Sequence, residues 1–130
     1  MASIFTKIVK GEIPCHKVAE TDDFLAFLDI NPRVKGHTLV IPKEEVDYLF
    51  DLREELYIGL HLFAKEVAMA LEKTVTCERI STAVVGLEVP HCHLHLMPIN
   101  KIADFGFSQP PLKMSQEELA GLAQAIRNNL

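Results

Sequence analysis

The sequence lacks most of the features that settle the class of a small protein at a glance. Its three cysteines, Cys15, Cys77 and Cys92, are scattered and never form a CxxC pair. A disulfide framework is therefore excluded, no four-ligand nitrogen and sulfur set for a metal is in view, and no metal or other cofactor is expected. No apolar run approaches the roughly 18 residues of a membrane span. The opening MASIFTKIVKGEIP carries Lys7, Lys10 and Glu12 where a secretion signal needs unbroken apolar residues, so a cytoplasmic protein without membrane association is expected. Thirteen Lys and Arg against eighteen Asp and Glu give a net charge of -5. That balance offers no broad basic surface to gather nucleic acid by counterion release, although one phosphate pocket is compatible with it. Repeats and low-complexity tracts are missing, and no linker interrupts the chain before residue 100.

What is present is a chain of 130 residues, 48% of them hydrophobic, enough for one domain with an ordinary core. In SIFTKIVK, residues 3–10, Ile4, Phe5, Ile8 and Val9 share a helical face. Lys17 to Glu20 and Phe24 to Ile30 read as a hairpin turning at Thr21, Asp22 and Asp23. In its second strand Phe24, Ala26, Leu28 and Ile30 share one face, and Leu25, Phe27 and Asp29 the other. A third strand, His37 to Ile41, follows the turn residues Asn31, Pro32 and Gly36. Leu52, Leu56, Leu60, Phe63, Val67 and Leu71 then recur every three or four residues behind Asp51, predicting a long helix from about 52 to about 73 with Asp51 as N-cap. Two more strands are expected at Arg79 to Val85 and His91 to Met97, then a loop at 103–114. Ser115 and Glu118 form a capping box for a last helix whose inner face is Leu119, Leu122, Ala123 and Ile126. The fold class is α+β, with a five-stranded, mainly antiparallel sheet, a long helix and a C-terminal helix. Residues 1–130 form a single domain, with a core at 1–102 and a loop plus helix at 103–130.

His91, His93 and His95 alternate with Cys92, Leu94 and Leu96. On a strand the imidazoles would line one side while the apolar residues enter the core on the other. Three readings follow. The row could be the solvated face of a sheet, though Ser, Thr or Lys serve that purpose more commonly. It could bind metal, but His91 and His95 would stand roughly 13 Å apart, so at most two neighbours could share an ion. Or it could act on a phosphate, a middle imidazole attacking while its neighbours hold phosphoryl oxygens. His16 and His61 read as a loop residue and a helix-surface residue, and Cys77 and Cys92 as small apolar residues in packing.

The stretch His91 to Met97 matches the HxHxHxx signature of the histidine triad (HIT) superfamily of nucleotide hydrolases and transferases. SIFTKIVKGEIP, FLAFLDINP and GHTLVIPK fall in the order and spacing of its small nucleotide-binding branch, so the chain resembles that branch over residues 3–100. The resemblance implies that His93 is a nucleophile forming a nucleotidyl-histidine intermediate and that His95 contacts the scissile phosphate. It places His91 behind His93, with the His91 carbonyl fixing the His93 tautomer, and His37 as a fourth histidine beside the triad. Phe5, Ile8, Phe27 and Ile30 match an apolar base pocket, a role that competes with plain core packing. Asp29 matches the acid that accepts hydrogen bonds from ribose hydroxyls.

The chain also departs from the pattern. Relatives reach the first histidine through a longer loop with Asn and a Gly-Gln pair; here the connection is Gly86, Leu87, Glu88, Val89 and Pro90, with Leu87 where Gln is expected. Glu88 could instead bond a cationic or amine leaving group and repel a polyphosphate, or it could be a loop carboxylate without a role. Some relatives carry CIFC where this chain has Ser3, Ile4, Phe5 and Thr6, so the two thiolates of a structural zinc site are missing. The function implied is hydrolysis or nucleotidyl transfer at the α-phosphate of a small purine nucleotide conjugate, such as a phosphoramidate. The alternative is a nucleotide-binding module with little turnover, kept for a regulatory or partner-binding role. The resemblance further implies a homodimer joined through the long helix and an adjoining strand, and Tyr48, Leu49, Leu56, Tyr57 and Met69 supply apolar area for it.

Overall fold

The computed structural model describes residues 2–130. In chain order it comprises α1 (Ile4–Val9), β1 (Lys17–Glu20), β2 (Phe24–Leu28), β3 (Thr38–Pro42), α2 (Glu54–Thr74), β4 (Arg79–Ala83), β5 (Leu94–Ile99) and α3 (Gln116–Asn128), with short 3-10 turns at Leu49–Asp51 and Ile102–Asp104. The strands form one sheet in the order β1-β2-β3-β5-β4. Every neighbouring pair is antiparallel.

Strand alternation gives this sheet two working faces. Phe24, Ala26 and Leu28 of β2, Val40 of β3 and Leu94 and Leu96 of β5 face the main core, where α2 contributes Leu56, Leu60, Phe63, Val67 and Leu71 and α3 contributes Leu119, Leu122, Ala123 and Ile126. Each such fully buried aliphatic side chain is worth about 1.5–3 kcal/mol of transfer free energy, so this face carries most of the stability. On the opposite face Leu25, Phe27, Leu39 and Ile41 form a smaller cluster capped by Phe5 of α1. This face is the thinner of the two.

Several element ends differ from the sequence expectation. α2 starts at Glu54 with Arg53 as N-cap, and the Arg53 side chain makes no cap bond. Asp51 belongs instead to the preceding 3-10 turn, and Leu52 ends that turn while still packing into the core. β2 stops at Leu28, so Ile30 leaves the Phe24 face and stands 62% exposed. β4 is two residues shorter than expected, ending at Ala83. β5 begins at Leu94, so His91 and His93 precede the strand. Cys92 is buried in the core as expected, whereas Cys77 is only half-buried. The Ser115–Glu118 capping box forms as read.

Gly36 adopts φ +88°, and a Cβ there would lie 3.0 Å from Leu71 Cδ1 and 3.1 Å from Pro98 Cγ. This turn feeds His37 into β3, and only glycine fits it without strain. Gly121 sits on α3 with open space around its Cα. Gly36→Ala is expected to cost more than about 1 kcal/mol, and Gly121→Ala to add about 0.5–1 kcal/mol. Urea unfolding of the two variants beside the parent protein measures both.

Candidate active site

The alternation that places Cys92, Leu94 and Leu96 in the main core turns His91, His93 and His95 to the thin face, although only His95 lies within β5. None is solvated. His37, His91, His93 and His95 retain 1%, 0%, 7% and 8% of their surface, so each ring must find its hydrogen-bond partners inside the protein. The partners found fix where the protons sit.

His91 Nε2 lies 2.8 Å from the Pro42 carbonyl, which can only accept, so Nε2 carries the proton. Its Nδ1, 2.8 Å from Ser3 Oγ, is then the acceptor. His93 Nδ1 lies 2.7 Å from the His91 carbonyl and must donate. Its Nε2 is left as an unprotonated lone pair in the neutral ring, and the ring lines a cavity of about 480 Å³. His37 Nδ1 accepts the Arg33 backbone N–H at 3.1 Å, so its Nε2–H donates to His95 Nδ1 at 2.9 Å. That leaves the proton of neutral His95 on Nε2. Two adjacent rings, 5.0 Å between centroids, thus carry opposite functions: His93 offers an electron pair and His95 an N–H.

Burial keeps three of these rings, His95, His37 and His91, neutral. It pushes His95 down to about 3, with His37 and His93 adding repulsion. It also lowers His37, against the pull of Asp29 and with help from Arg33 and His93. His91 is lowered by burial too, partly offset by its bond to Pro42 and by Glu45.

Asp29 Oδ2 stands 3.8 Å from His37 Nε2, so Asp29, His37 and His95 bring ligand-type atoms within 4.8 Å of one another. The two ring centroids are 5.2 Å apart with the nitrogens 2.9 Å apart, so the nitrogens face each other nearly head-on. That is the geometry of a hydrogen bond, not of two lone pairs converging on an ion.

The same cavity is lined by Phe5 and Ile8 of α1, Phe27 of β2, Asp29 and Ile30 beyond it, His37, and Glu88 of the loop 84–90. All the site residues expected from the sequence except His91 therefore meet around one space. Phe5 and Phe27 both line the cavity and pack in the thin-face cluster, so base contact and core packing are not exclusive. Asp29 Oδ1 accepts the Asn31 N–H at 2.8 Å and Asp29 remains partly exposed to the cavity. Leu87 is at the rim, 89% exposed.

Sequence reading missed Arg33, whose N–H sets the His37 tautomer, and Phe107, whose ring lies 4.6 Å from His95. The Phe107 segment is strapped to the β2–β3 connection by the Arg33 guanidinium on the Gln109 carbonyl and by Leu112 N–H on the Pro32 carbonyl at 2.7 Å. Arg33 follows the Asn-Pro turn directly and could have been weighed from that position. Phe107 sits in a stretch without periodicity and gave no signal.

The folded protein resists protons at His37, His91 and His95, whereas the unfolded chain takes them up near 6.5; stability therefore falls as pH drops below 6.5. Glu20 and Glu45, held down to about 2 by their hydrogen bonds, act in a lower window below 4.5. Urea unfolding at about pH 7.5 and pH 5.5 is expected to show lower stability at the acid value, with a smaller difference in His95→Asn.

Comparison with known proteins agrees with this architecture. Residues 10–102 match the family model described as HIT domain. The chain is 37% identical over 132 residues to the Schizosaccharomyces pombe protein named adenosine 5'-monophosphoramidase hnt1, covering 100% of this chain and 99% of that one. Among solved structures, a Hit-like protein from Bartonella henselae superposes with a TM-score of 0.86 at 32% identity, covering 98% of this chain and 96% of that one. A protein from Mycobacterium smegmatis, described as a zinc-bound histidine triad family protein, superposes with a TM-score of 0.83 at 27% identity over 99% of this chain and 93% of that one. With its imidazole row, its sheet and these matches taken together, the chain belongs to the HIT family.

Proposed function

We propose that this protein is a nucleotide hydrolase or nucleotidyl transferase that attacks the α-phosphate of a purine nucleotide conjugate, in the first place a phosphoramidate. One observation carries the reading: the His93 Nδ1–H bond to the His91 carbonyl leaves Nε2 as a lone pair at a cavity, beside a ring whose Nε2–H is free to donate. The phosphoramidase name of the fission-yeast relative supports the substrate class. The His93 Nε2 electron pair forms the bond to phosphorus. The phosphorus–nitrogen bond breaks, and its electrons leave with the amine, which takes up a proton. Water then splits the nucleotidyl-histidine, releasing the nucleotide and restoring Nε2. His95 donates to a phosphoryl oxygen, stabilising the charge that builds there. His37 holds His95 in the donating tautomer, and His91 holds His93 in the attacking one. Phe5, Ile8, Phe27 and Ile30 receive the base, Asp29 the ribose hydroxyls, and Glu88 the leaving amine, while a polyphosphate leaving group is repelled.

The exposed Leu87, standing where relatives place Gln, favours a second reading, a nucleotide-binding module with little turnover. Adenosine phosphoramidate incubated with the protein separates the two through release of AMP. His93→Ala is expected to abolish turnover while leaving nucleotide affinity within a few fold, because base and ribose contacts lie on other elements. His95→Ala should lose less, about 3 kcal/mol of transition-state stabilisation. A quenched wild-type sample should carry an acid-labile nucleotidyl label on His93. Label on His91 or His95, or full turnover in His93→Ala, contradicts the assignment, and AMP binding without label or turnover selects the binding module.

The same reading includes a homodimer through α2 and β4. Met69, Ile58 and Leu62 on α2 are 53%, 49% and 61% exposed, and Tyr48 is 58% exposed. Leu56, expected in this face from the sequence, is instead 4% exposed inside the core and takes no part. Sedimentation equilibrium at micromolar protein is expected to give twice the 14.6 kDa chain mass. A particle of one chain mass would refute the dimer.

A further inference from the structure

His91 does not line the cavity, yet it is wholly buried and bonded at both ring nitrogens. The group on its Nδ1 side is a compact polar cluster at the start of α1. Ser3 Oγ lies 2.8 Å from His91 Nδ1 and accepts the Thr6 N–H at 3.0 Å, the N-cap bond of the helix. Since His91 Nδ1 is the acceptor, the Ser3 hydroxyl spends its proton on the ring. Glu45 completes the cluster: its Oε1 accepts the Ser3 backbone N–H and the Thr6 hydroxyl, both at 2.6 Å. The next residue, Val46, accepts the Cys92 N–H on its carbonyl at 2.7 Å. The 45–46 segment therefore grips the start of α1 with a side chain and the backbone just after His91 with a carbonyl.

We infer that Ser3, Thr6 and Glu45 form a positioning relay for the triad: they lock the His91 ring, and with it the His91 carbonyl that holds His93 by its Nδ1–H. The inference rests on His93 being the nucleophile. These residues touch no substrate and act through His91. Without the Ser3 hydroxyl, His91 Nδ1 keeps only the Thr6 hydroxyl at 3.4 Å, whose proton is held by Glu45 Oε1 at 2.6 Å, and the ring shifts to find a donor. Without Glu45, Ser3 loses the carboxylate that fixes its backbone, and the hydroxyl no longer arrives at a set position. In either case the His91 carbonyl moves off the His93 Nδ1–H, and His93 is free to populate the tautomer whose Nε2 carries a proton and cannot attack. Glu45→Gln keeps an acceptor oxygen for both donors, so its consequence differs from that of Glu45→Ala.

The test uses full-length Ser3→Ala, Glu45→Ala, Glu45→Gln and the Ser3→Ala/Glu45→Ala pair, with adenosine phosphoramidate kinetics and nitrogen-15 NMR of the histidine rings. Ser3→Ala and Glu45→Ala are expected to lower kcat by about tenfold with KM within about twofold, and their ring spectra should show His93 in mixed tautomers. The pair should be no worse than the worse single variant, because both act on one ring. Glu45→Gln should keep wild-type kcat and a single His93 Nδ1–H tautomer. A single His93 tautomer with unchanged kcat in Ser3→Ala and Glu45→Ala overturns the relay. So does a loss confined to KM and thermal stability with the His93 tautomer intact, which would make the cluster a mere anchor for α1. If the wild-type protein does not turn the substrate over, the hydrolase reading fails, and the tautomer spectra alone still decide whether the relay exists.

Discussion

A neutral imidazole has one donor and one acceptor, and when it is buried the protein must satisfy both. Four imidazoles are buried within one small region, His91 and His37 with both nitrogens bonded and His93 and His95 with one each, and most of the local structure follows from it. Pro42 and Ser3 take the two nitrogens of His91, and the His91 carbonyl takes one nitrogen of His93. The Arg33 backbone and His95 take the two nitrogens of His37. Among the described residues, Nε2 of His93 and Nε2 of His95 have no partner and are left for something that enters the cavity. His91, His93 and His37 are held in one tautomer by backbone carbonyls, a backbone N–H and a serine hydroxyl, groups that do not themselves titrate near neutrality, and His37 in turn fixes His95.

This arrangement depends on the division of labour between the faces of the sheet. α2 and α3 close the main core with long aliphatic side chains, so the other face need not carry a large share of the stability. It can hold an open cavity with Phe5, Phe27 and Leu39 as its apolar floor. β5 is the hinge of the scheme, since alternate residues serve the core and the site. His95 pairs with Leu39 of β3 on one side and Ala83 of β4 on the other, which fixes its height in the sheet. Desolvation by these neighbours and by Phe107 is also what keeps His95 from taking a proton.

The C-terminal segment belongs to the same structure as the core. α3 packs on α2 and β1, and His16, ahead of β1, meets the Gln116 side chain at 2.8 Å. Its preceding loop brings Phe107 against His95, although the family model ends at residue 102. The site is thus finished by a part of the chain outside the matched family region. Nothing about the HxHxHxx row itself would indicate that.

By itself the sequence determined the element types and the antiparallel class, because each leaves a local trace, while most of the residues expected around the cavity came from the resemblance to the HIT pattern and not from local periodicity. Turn residues at 21–23 mark the hairpin that holds β2, alternation marks β4 and the histidine row that runs into β5, a recurrence of three to four marks α2, and Ser115 with Glu118 marks the start of α3. The rows of imidazole and of apolar residues on either side of Leu94 follow from that same alternation. Tertiary structure alone decided that the imidazoles are buried rather than solvated, which ring nitrogen carries each proton, and that Ser3, Glu45, Arg33 and Phe107 take part. Those facts depend on contacts between segments far apart in the chain, such as Ser3 with His91 and Phe107 with His37. Tautomers are set by the donor or acceptor that folding brings to a ring, and no spacing along one strand can state what that partner will be.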